Sequence, residues 1–321
     1  MKTGGGWKNK AILLIVIFAV FYALIFFLSD IDKIAISLSK INFQYYVIIF
    51  PLILGTIFIR GIRFHILLRK LDIVLKIRES VLISTAGLAM LFTPGGIGTI
   101  IKSYILKQKI GQSYSSTTPI LIYEKWTELV ATTIIVGVLL FWANLFESQI
   151  ILGVGLSLSI LIFLVLKKNR WLSLLNKFIN KIGLGKKLSL DEKEFHQSSV
   201  KLLSFGLLAK LLSLALLNRI ILLISVFLIF ESFNLNINLF LSGQLYFTSL
   251  LIGALSFLPQ GAVVFDTSML GLLVSKGIDF SVASVLILII RSVTLWFEVL
   301  LGFICLKFVL NSKWMKQNSS E

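Results

Sequence analysis

Residues 211–230 read LLSLALLNRIILLISVFLIF, an apolar run broken only by two serines and, at its middle, by Asn218-Arg219. About twenty residues coiled at 1.5 Å each span the roughly 30 Å hydrocarbon layer of a bilayer. The run has no polar stripe of the kind that turns a soluble helix toward water, so its surroundings are lipid or protein on every side. The rest of the chain repeats the pattern. Apolar runs near 11–28, 44–66, 119–142, 149–166, 203–230 and 281–309 predict six transmembrane helices. With 57% hydrophobic residues in 321 and a mean hydropathy of +0.95, one soluble core could not bury the apolar surface. The fold class expected is an all-α integral membrane protein, one membrane domain over 1–321.

Two further apolar segments, 81–106 and 240–276, are broken at their centres by Thr93-Pro94-Gly95-Gly96-Ile97-Gly98 and by Pro259-Gln260-Gly261. Each half is too short to span, and proline with glycine ends a helix, so these segments are expected to be re-entrant hairpins shielded from lipid by protein or a wet cavity. Each break leads into a similar sequence at an offset of about 165 to 166 residues. Pro94 is followed by Gly111-Gln112-Ser113-Tyr114-Ser115 and Lys125, and Pro259 by Gly277-Ile278-Asp279-Phe280-Ser281 and Arg291. This predicts two opposed repeat units, 81–142 and 240–309, of inverted topology, which would set a substrate site near the bilayer midplane.

The net charge of +16 lies in the connections rather than in a nucleic-acid-binding patch. Arg69, Lys70, Lys76 and Arg78 follow the second span. Lys167, Lys168, Arg170, Lys177, Lys181, Lys186, Lys187 and Lys193 fill the connection 167–201. The alternate loops carry Asp30, Asp32, Glu147 and Glu231, with Lys33 and Lys40 as exceptions. The positive-inside rule then puts both termini in the cytosol of a multi-pass cell-membrane protein. The basic start, Met1 to Lys10, resembles a signal peptide, but no small-residue cleavage site follows, so 11–28 is expected to remain as the first span. The one cysteine, Cys305, excludes a disulfide framework and is expected to pack in an apolar environment.

Ionisable groups inside the apolar runs cost about 2.5–3.5 kcal/mol each at the bilayer centre, so they should face a cavity or a partner. Arg291 falls ten residues, about 15 Å, into the last span, with Glu298 two turns further on the same face. Arg219 is a second deep cation. Asp266, seven residues after Pro259 and two turns into its half-helix, is the expected counter-ion of Arg291. Lys102 holds the comparable place after Pro94. Glu124, Lys125 and Glu128 lie just inside the third span, which is expected to start with Thr118 as cap and Pro119 in the first turn. Glu124 and Glu128 share a face, so a cation or a proton must relieve their repulsion. Arginine pairs bidentately with phosphate oxygens, and free amides at a half-helix start favour anions. The chemistry expected is therefore capture of a phosphate-bearing lipid, with Pro94, Gly95, Gly96, Gly98, Pro259 and Gly261 allowing close backbone approach.

These residues resemble the transmembrane flippase region of lysylphosphatidylglycerol synthases and their stand-alone relatives over most of the chain. Thr93 to Lys102 is similar to that family's Pro-Gly-Arg-x-Gly-Glu-x-x-Arg motif, and Glu124-Lys125 to Glu128 to its acidic-arginine pair. Pro259, Gly261, Asp266, Gly277, Ala283, Arg291 and Thr294 follow its second motif. Gly96 and Thr99 stand where the motif has arginine and glutamate, Lys102 and Lys125 where it has arginine, and Gln260-Gly261-Ala262 loosens the glycine-rich turn. The resemblance implies a flippase for aminoacylated phosphatidylglycerol or polyprenol-linked lipids. The soluble aminoacyl-transfer domain is absent from this sequence, so synthase activity is not expected. Two other functions stay open at this point: an enzyme acting on lipid head groups, for which only His65 and His196 are available, and an ion-coupled carrier of a small solute using Asp266, Glu124 or Glu128. No cofactor or metal and no nucleic acid are expected, membrane lipids are the partners, and a homo-oligomer is open.

Overall fold

Apolar runs without a polar face, punctuated by Asp, Asn and Ser caps, become helices joined by short connections in the computed structural model, and no strand occurs among the described residues. The structure describes residues 29–91, 100–142, 146–167, 191–256 and 263–311, with positions 23, 27, 258 and 261. The helices are α1 (Ile31–Ser39), α2 (Tyr46–Lys70), α3 (Ile77–Ala86, continued by a 3-10 turn at Gly87–Met90), α4 (Ile101–Ile110), α5 (Tyr114–Leu139) and α6 (Phe146–Lys167). After the connection come α7 (Glu192–Leu202), α8 (Phe205–Ser232), α9 (Leu239–Leu255), α10 (Val264–Ser275), α11 (Phe280–Arg291) and α12 (Phe297–Asn311), the last two joined by a π-turn at Ser292–Trp296.

Three stretches are long and apolar enough to cross a membrane: Phe43–Lys70, Phe205–Ser232 and Phe280–Asn311. α5 has the length, at 26 residues, but carries Glu124, Lys125 and Glu128. The expected spans 44–66, 119–142, 149–166, 203–230 and 281–309 each coincide with a helix or with the joined pair α11 and α12. The expected span 11–28 lies outside the described residues except for two positions. Val47, Phe58, Ile220, Ile224, Leu300, Phe303 and Phe308 are exposed on α2, α8 and α12, an outward apolar surface suited to lipid.

Lipid tails are as apolar as leucine, so these helices are held by close packing and polar contacts rather than by the hydrophobic effect. α2 runs along α8 at the centre, α12 lies on α3 and its 3-10 turn, and α5 lies on α9. Around them the buried side chains form two clusters, one including Ile49, Val226, Phe247 and Leu286, the other Phe64, Leu68, Ile105 and Tyr123. At one end the Asn42 N–H donates to the Ser232 carbonyl (2.9 Å) and the Asp30 N–H to Ser281 Oγ (3.0 Å). At the other, the Asp191 N–H donates to Ser115 Oγ (2.7 Å) and Lys201 pairs with Asp72 (3.2 Å).

Helices flank both interrupted segments, α3 and α4 the first and α9 and α10 the second. α9 and α10 pack antiparallel: Ser249 Oγ meets Met269 Sδ at 3.6 Å, and Gly253 faces Phe265 and Gly261. In the first segment Lys102 folds back onto Ser84 and Gly87. The breaks themselves, 92–99 and most of 257–262, lie outside the described residues, and with them Pro94, Gly95, Gly96, Gly98 and Pro259. Gly261 is described, at φ 63°.

Three local expectations need correction. α5 starts at Tyr114, and its N-cap is Ser113, whose Oγ accepts the Ser116 N–H; Thr118 is inside the helix and donates to the Tyr114 carbonyl. Proline has no N–H to offer the carbonyl one turn back, but Pro119 is tolerated near the helix start. Asp266 lies in the first turn of α10 rather than two turns in, because that helix begins only at Val264; its Oδ2 accepts the Val263 N–H at 3.2 Å. The π-turn, finally, changes the helical phase between Arg291 and Glu298, and the two turn to different partners.

Candidate functional site, a buried charge cluster

Seven helices or turns converge on a cluster of ionic side chains inside the bundle. Arg60 and Arg63, one turn apart on α2, share a face. Arg60 holds Glu298 of α12 bidentately, Nη1 to Oε2 at 2.8 Å and Nη2 to Oε1 at 2.6 Å. Arg63 is 1% exposed; its Nη1 lies 3.5 Å from Glu128 Oε1, and its Nη2 donates to the Glu124 carbonyl and to Thr127 Oγ1 at 3.2 and 2.5 Å. Lys102 of α4 pairs with Glu124 at 3.0 Å and lies over the Phe64 ring. Gly87 makes this possible, since a Cβ there would collide with the Lys102 side chain. Lys125, half exposed, reaches Glu128 at 3.1 Å.

Arg219 completes the cluster from the middle of α8. Its Nε donates to Thr132 Oγ1 at 2.8 Å, and it has no carboxylate within ion-pairing distance among the described residues. The neighbouring Asn218 donates to the Thr56 carbonyl at 2.8 Å and so fixes α8 against α2. Arg60, Arg63, Lys102, Lys125 and Arg219 thus face Glu124, Glu128 and Glu298, which leaves positive charge in excess. A small cleft of about 20 Å³ opens beside them, lined by Arg60, Lys102, Glu124, Lys125 and Glu128 and walled by Leu88, Leu91 and Leu121.

A second buried pair lies close by. Asp266 Oδ1 accepts from Arg291 Nε at 2.6 Å, and the guanidinium carbon stands 4.0 Å from the centre of the Phe265 ring. The counter-ion expected for Arg291 is therefore its partner. Tyr246 of α9 is near enough to Arg291, Arg219 and Glu298 to feel all three charges, and it connects the two groups. The pairs are charge-reversed images of each other. In each, the first turn of the second half-helix is joined to the helix that follows, by Lys102 with Glu124 in one case and by Asp266 with Arg291 in the other.

The expected site residues Lys102, Glu124, Lys125, Glu128, Arg219 and Glu298 come together, with Asp266 and Arg291 as the adjoining pair. Sequence reasoning missed Arg60 and Arg63. The signal was present, as two arginines one turn apart inside the apolar run 44–66 whose depth equals that of Arg219. No group of His, Cys, Asp or Glu side chains suited to a metal occurs among the described residues.

The family described as the lysylphosphatidylglycerol synthase TM region matches residues 12–302. The chain belongs to this family. It is also similar to a UPF0104 membrane protein of Methanocaldococcus jannaschii, 24% identical over 230 residues that cover 71% of this chain and 96% of the relative. No solved structure matches the chain. Family membership and the apolar helices together make this a multi-pass membrane protein of a lipid-related family.

Proposed function

We propose that the protein is a lipid flippase-like transporter, which binds the phosphate of an anionic lipid in the charge cluster near the bilayer midplane and moves that headgroup across the membrane. One observation carries the reading: Arg219 is buried near Arg60 and Arg63 with no carboxylate within ion-pairing distance among the described residues. A charge without a close counter-ion in a low-dielectric interior is costly, and a phosphate would neutralise it while offering oxygen acceptors to the Arg219 guanidinium. Acyl tails would remain in the bilayer, leaving the cleft through its leucine side.

Several features support a transport cycle. Arg60 and Arg219 each lie fourteen residues from their helix starts, about 21 Å along α2 and α8. The hairpins read as re-entrant from opposite ends of the bundle. The packing is reciprocal: α5, after the first hairpin, lies on the second hairpin's α9, and α12, after the second, lies on the first hairpin's α3. Both follow-on helices are preceded by a left-handed glycine, Gly111 or Gly277, and a side-chain cap, Ser113 or Asp279. This favours the inverted repeat of 81–142 and 240–309. Rocking of one unit against the other would open the cluster to each leaflet in turn, and the basic end with Arg69, Lys70 and Lys201 would face the cytosol.

Vesicles carrying the purified protein and a fluorescent phosphatidylglycerol, read by quencher accessibility of each leaflet, test the reading. Arg219→Gln should slow transbilayer movement about tenfold or more, the loss of one charged hydrogen-bond set. Equal rates in wild type and variant, or no movement above protein-free vesicles, would overturn it.

A further inference from the structure

A second cleft lies away from the charge cluster, where α1 meets the turn after α8 and the first turn of α11, and encloses about 230 Å³. Lys33, Ile36, Ser37 and Lys40 of α1 form one wall. Phe233, Leu235 and Val282 form the other. Lys33, Ser37 and Lys40 stand at i, i+4 and i+7, so one stripe of a short helix presents two ammonium groups about 10 Å apart with a hydroxyl between them.

The position of α1 is firmly set. Asp30 caps it, accepting the Asp32 and Lys33 N–H groups, and its own N–H donates to Ser281. Lys33 Nζ pairs with Asp279, the cap of α11, at 2.8 Å. Lys40 forms no ion pair among the described residues. The opposite face of α1 is apolar, with Ile31 76% and Leu38 44% exposed, and Phe43 and Val47 just beyond the helix are exposed as well. A capped helix with lysines on one stripe and large exposed aliphatic groups on another is suited to the boundary between headgroups and acyl chains.

We propose that this cleft is a second lipid site, one that binds the headgroup of an anionic phospholipid, with the phosphate at Lys40 and the glycerol and first methylenes against Ile36, Phe233, Leu235 and Val282. The wall chemistry selects a lipid over a free anion. A hydrated phosphate would cover none of the apolar wall, whereas the upper acyl chain removes it from water. Zwitterionic lipid is disfavoured because its choline or ethanolamine group would sit among lysines. The site stands on the cleft and the lysine stripe, independently of whether the buried cluster transports anything.

The test uses the full chain in neutral detergent, with a polarity-sensitive fluorophore on Ser39→Cys in a Cys305→Ser background. Residue 39 is exposed, next to the cleft but not lining it. Dioctanoyl phosphatidylglycerol should give a saturable signal. Lys40→Gln should weaken it about fivefold, the effect of one lysine near an anionic surface. Lys40 is exposed, so this change does not threaten folding. Val282→Trp, filling the cleft, should abolish the signal, and Arg219→Gln should leave it unchanged. Equal affinity for dioctanoyl phosphatidylcholine, competition by inorganic phosphate at the lipid's own concentration, or indifference to both Lys40→Gln and Val282→Trp would each overturn the proposal. Loss of the signal in Arg219→Gln would assign it to the buried cluster and overturn the proposal equally.

Discussion

Replacing Arg219 by glutamine should make the protein more stable in neutral detergent and, at the same time, deaf to anionic lipid. Burial of an arginine at this depth costs about 2.5–3.5 kcal/mol on insertion scales. Against this, the guanidinium makes a bond to Thr132 Oγ1 at 2.8 Å. A glutamine amide can keep a neutral bond of about 1 kcal/mol in its place. Glu128 attracts Arg219, but Arg60 and Arg63 repel it, so the remaining charge terms oppose one another. The balance is a gain of about 1–2 kcal/mol for Arg219→Gln, a rise of about 2–4 °C in unfolding midpoint for a chain of this size. In the parent, dioctanoyl phosphatidylglycerol at a hundred times its Kd should add about 2.7 kcal/mol, and this increment should vanish in the variant. Thermal unfolding followed by intrinsic fluorescence, in a Val282→Trp background so that the α1 cleft is filled, measures both effects. A variant that loses 2 kcal/mol or more without lipid would show that Arg219 is an internal cross-link. Equal lipid stabilisation in the two proteins would remove the cluster from the binding account.

The bidentate Arg60–Glu298 pair joins α2 to α12 across the bundle, so Glu298→Gln, which leaves Arg60 without its counter-ion, should cost about 3–5 kcal/mol. The double change Arg60→Met with Glu298→Leu should recover most of that in a denaturation cycle; additive losses would mean that the pair is not a coupled unit. Gly302 packs on the Leu88–Ala89 backbone, where a Cβ has no room, whereas Gly206 faces open space. Gly302→Ala should therefore cost about 1–3 kcal/mol and Gly206→Ala should leave the unfolding midpoint unchanged or slightly raised. The Lys33–Asp279 tether sets a pH window. Its hydrogen bond and charge hold the Asp279 carboxyl below its ordinary 3.8, and the same bond raises Lys33 above 10.5. The Asp279 contribution is present above 3.8 and lost as pH falls through its lowered value. The Lys33 contribution is present below 10.5 and lost as pH rises through its raised value. Hydrogen exchange in α1, corrected for intrinsic rate, should stay level between these limits, and Asp279→Asn should speed it at neutral pH. Unchanged protection in the variant would show that Ser281 and packing alone hold the helix.

Much of the architecture could be read along the chain because bilayer thickness imposes a length on each span and lipid forbids unpaired backbone. Those constraints are local: they make 203–230 a helix whatever surrounds it, and they predict breaks at Pro94 and Pro259, positions outside the described residues. They also give depth, which is why Arg219 and Arg291 stood out, and why Asp266, on the neighbouring half-helix, could be matched to Arg291. The start of α10 at Val264 was less legible, since no residue in the sequence between Pro259 and Val264 announces the first turn.

Partnership is different in kind. Arg60 and Glu298 are 238 positions apart, and no periodicity relates them. Their pairing is decided by which face α2 turns to α12, and by a π-turn that rotates Glu298 away from Arg291. Arg63 was overlooked for the same reason: a charge in an apolar run has a known cost but an unknown partner until the helices pack. Sequence by itself determined the membrane class and the apolar helices over 44–66, 119–142, 149–166, 203–230 and 281–309, since each follows from a length and a composition. Only the tertiary structure decided which charges meet and that Arg219 has no carboxylate within ion-pairing distance among the described residues, because pairing inside a bundle depends on helix rotation, and rotation is settled by packing along the whole of every neighbouring face.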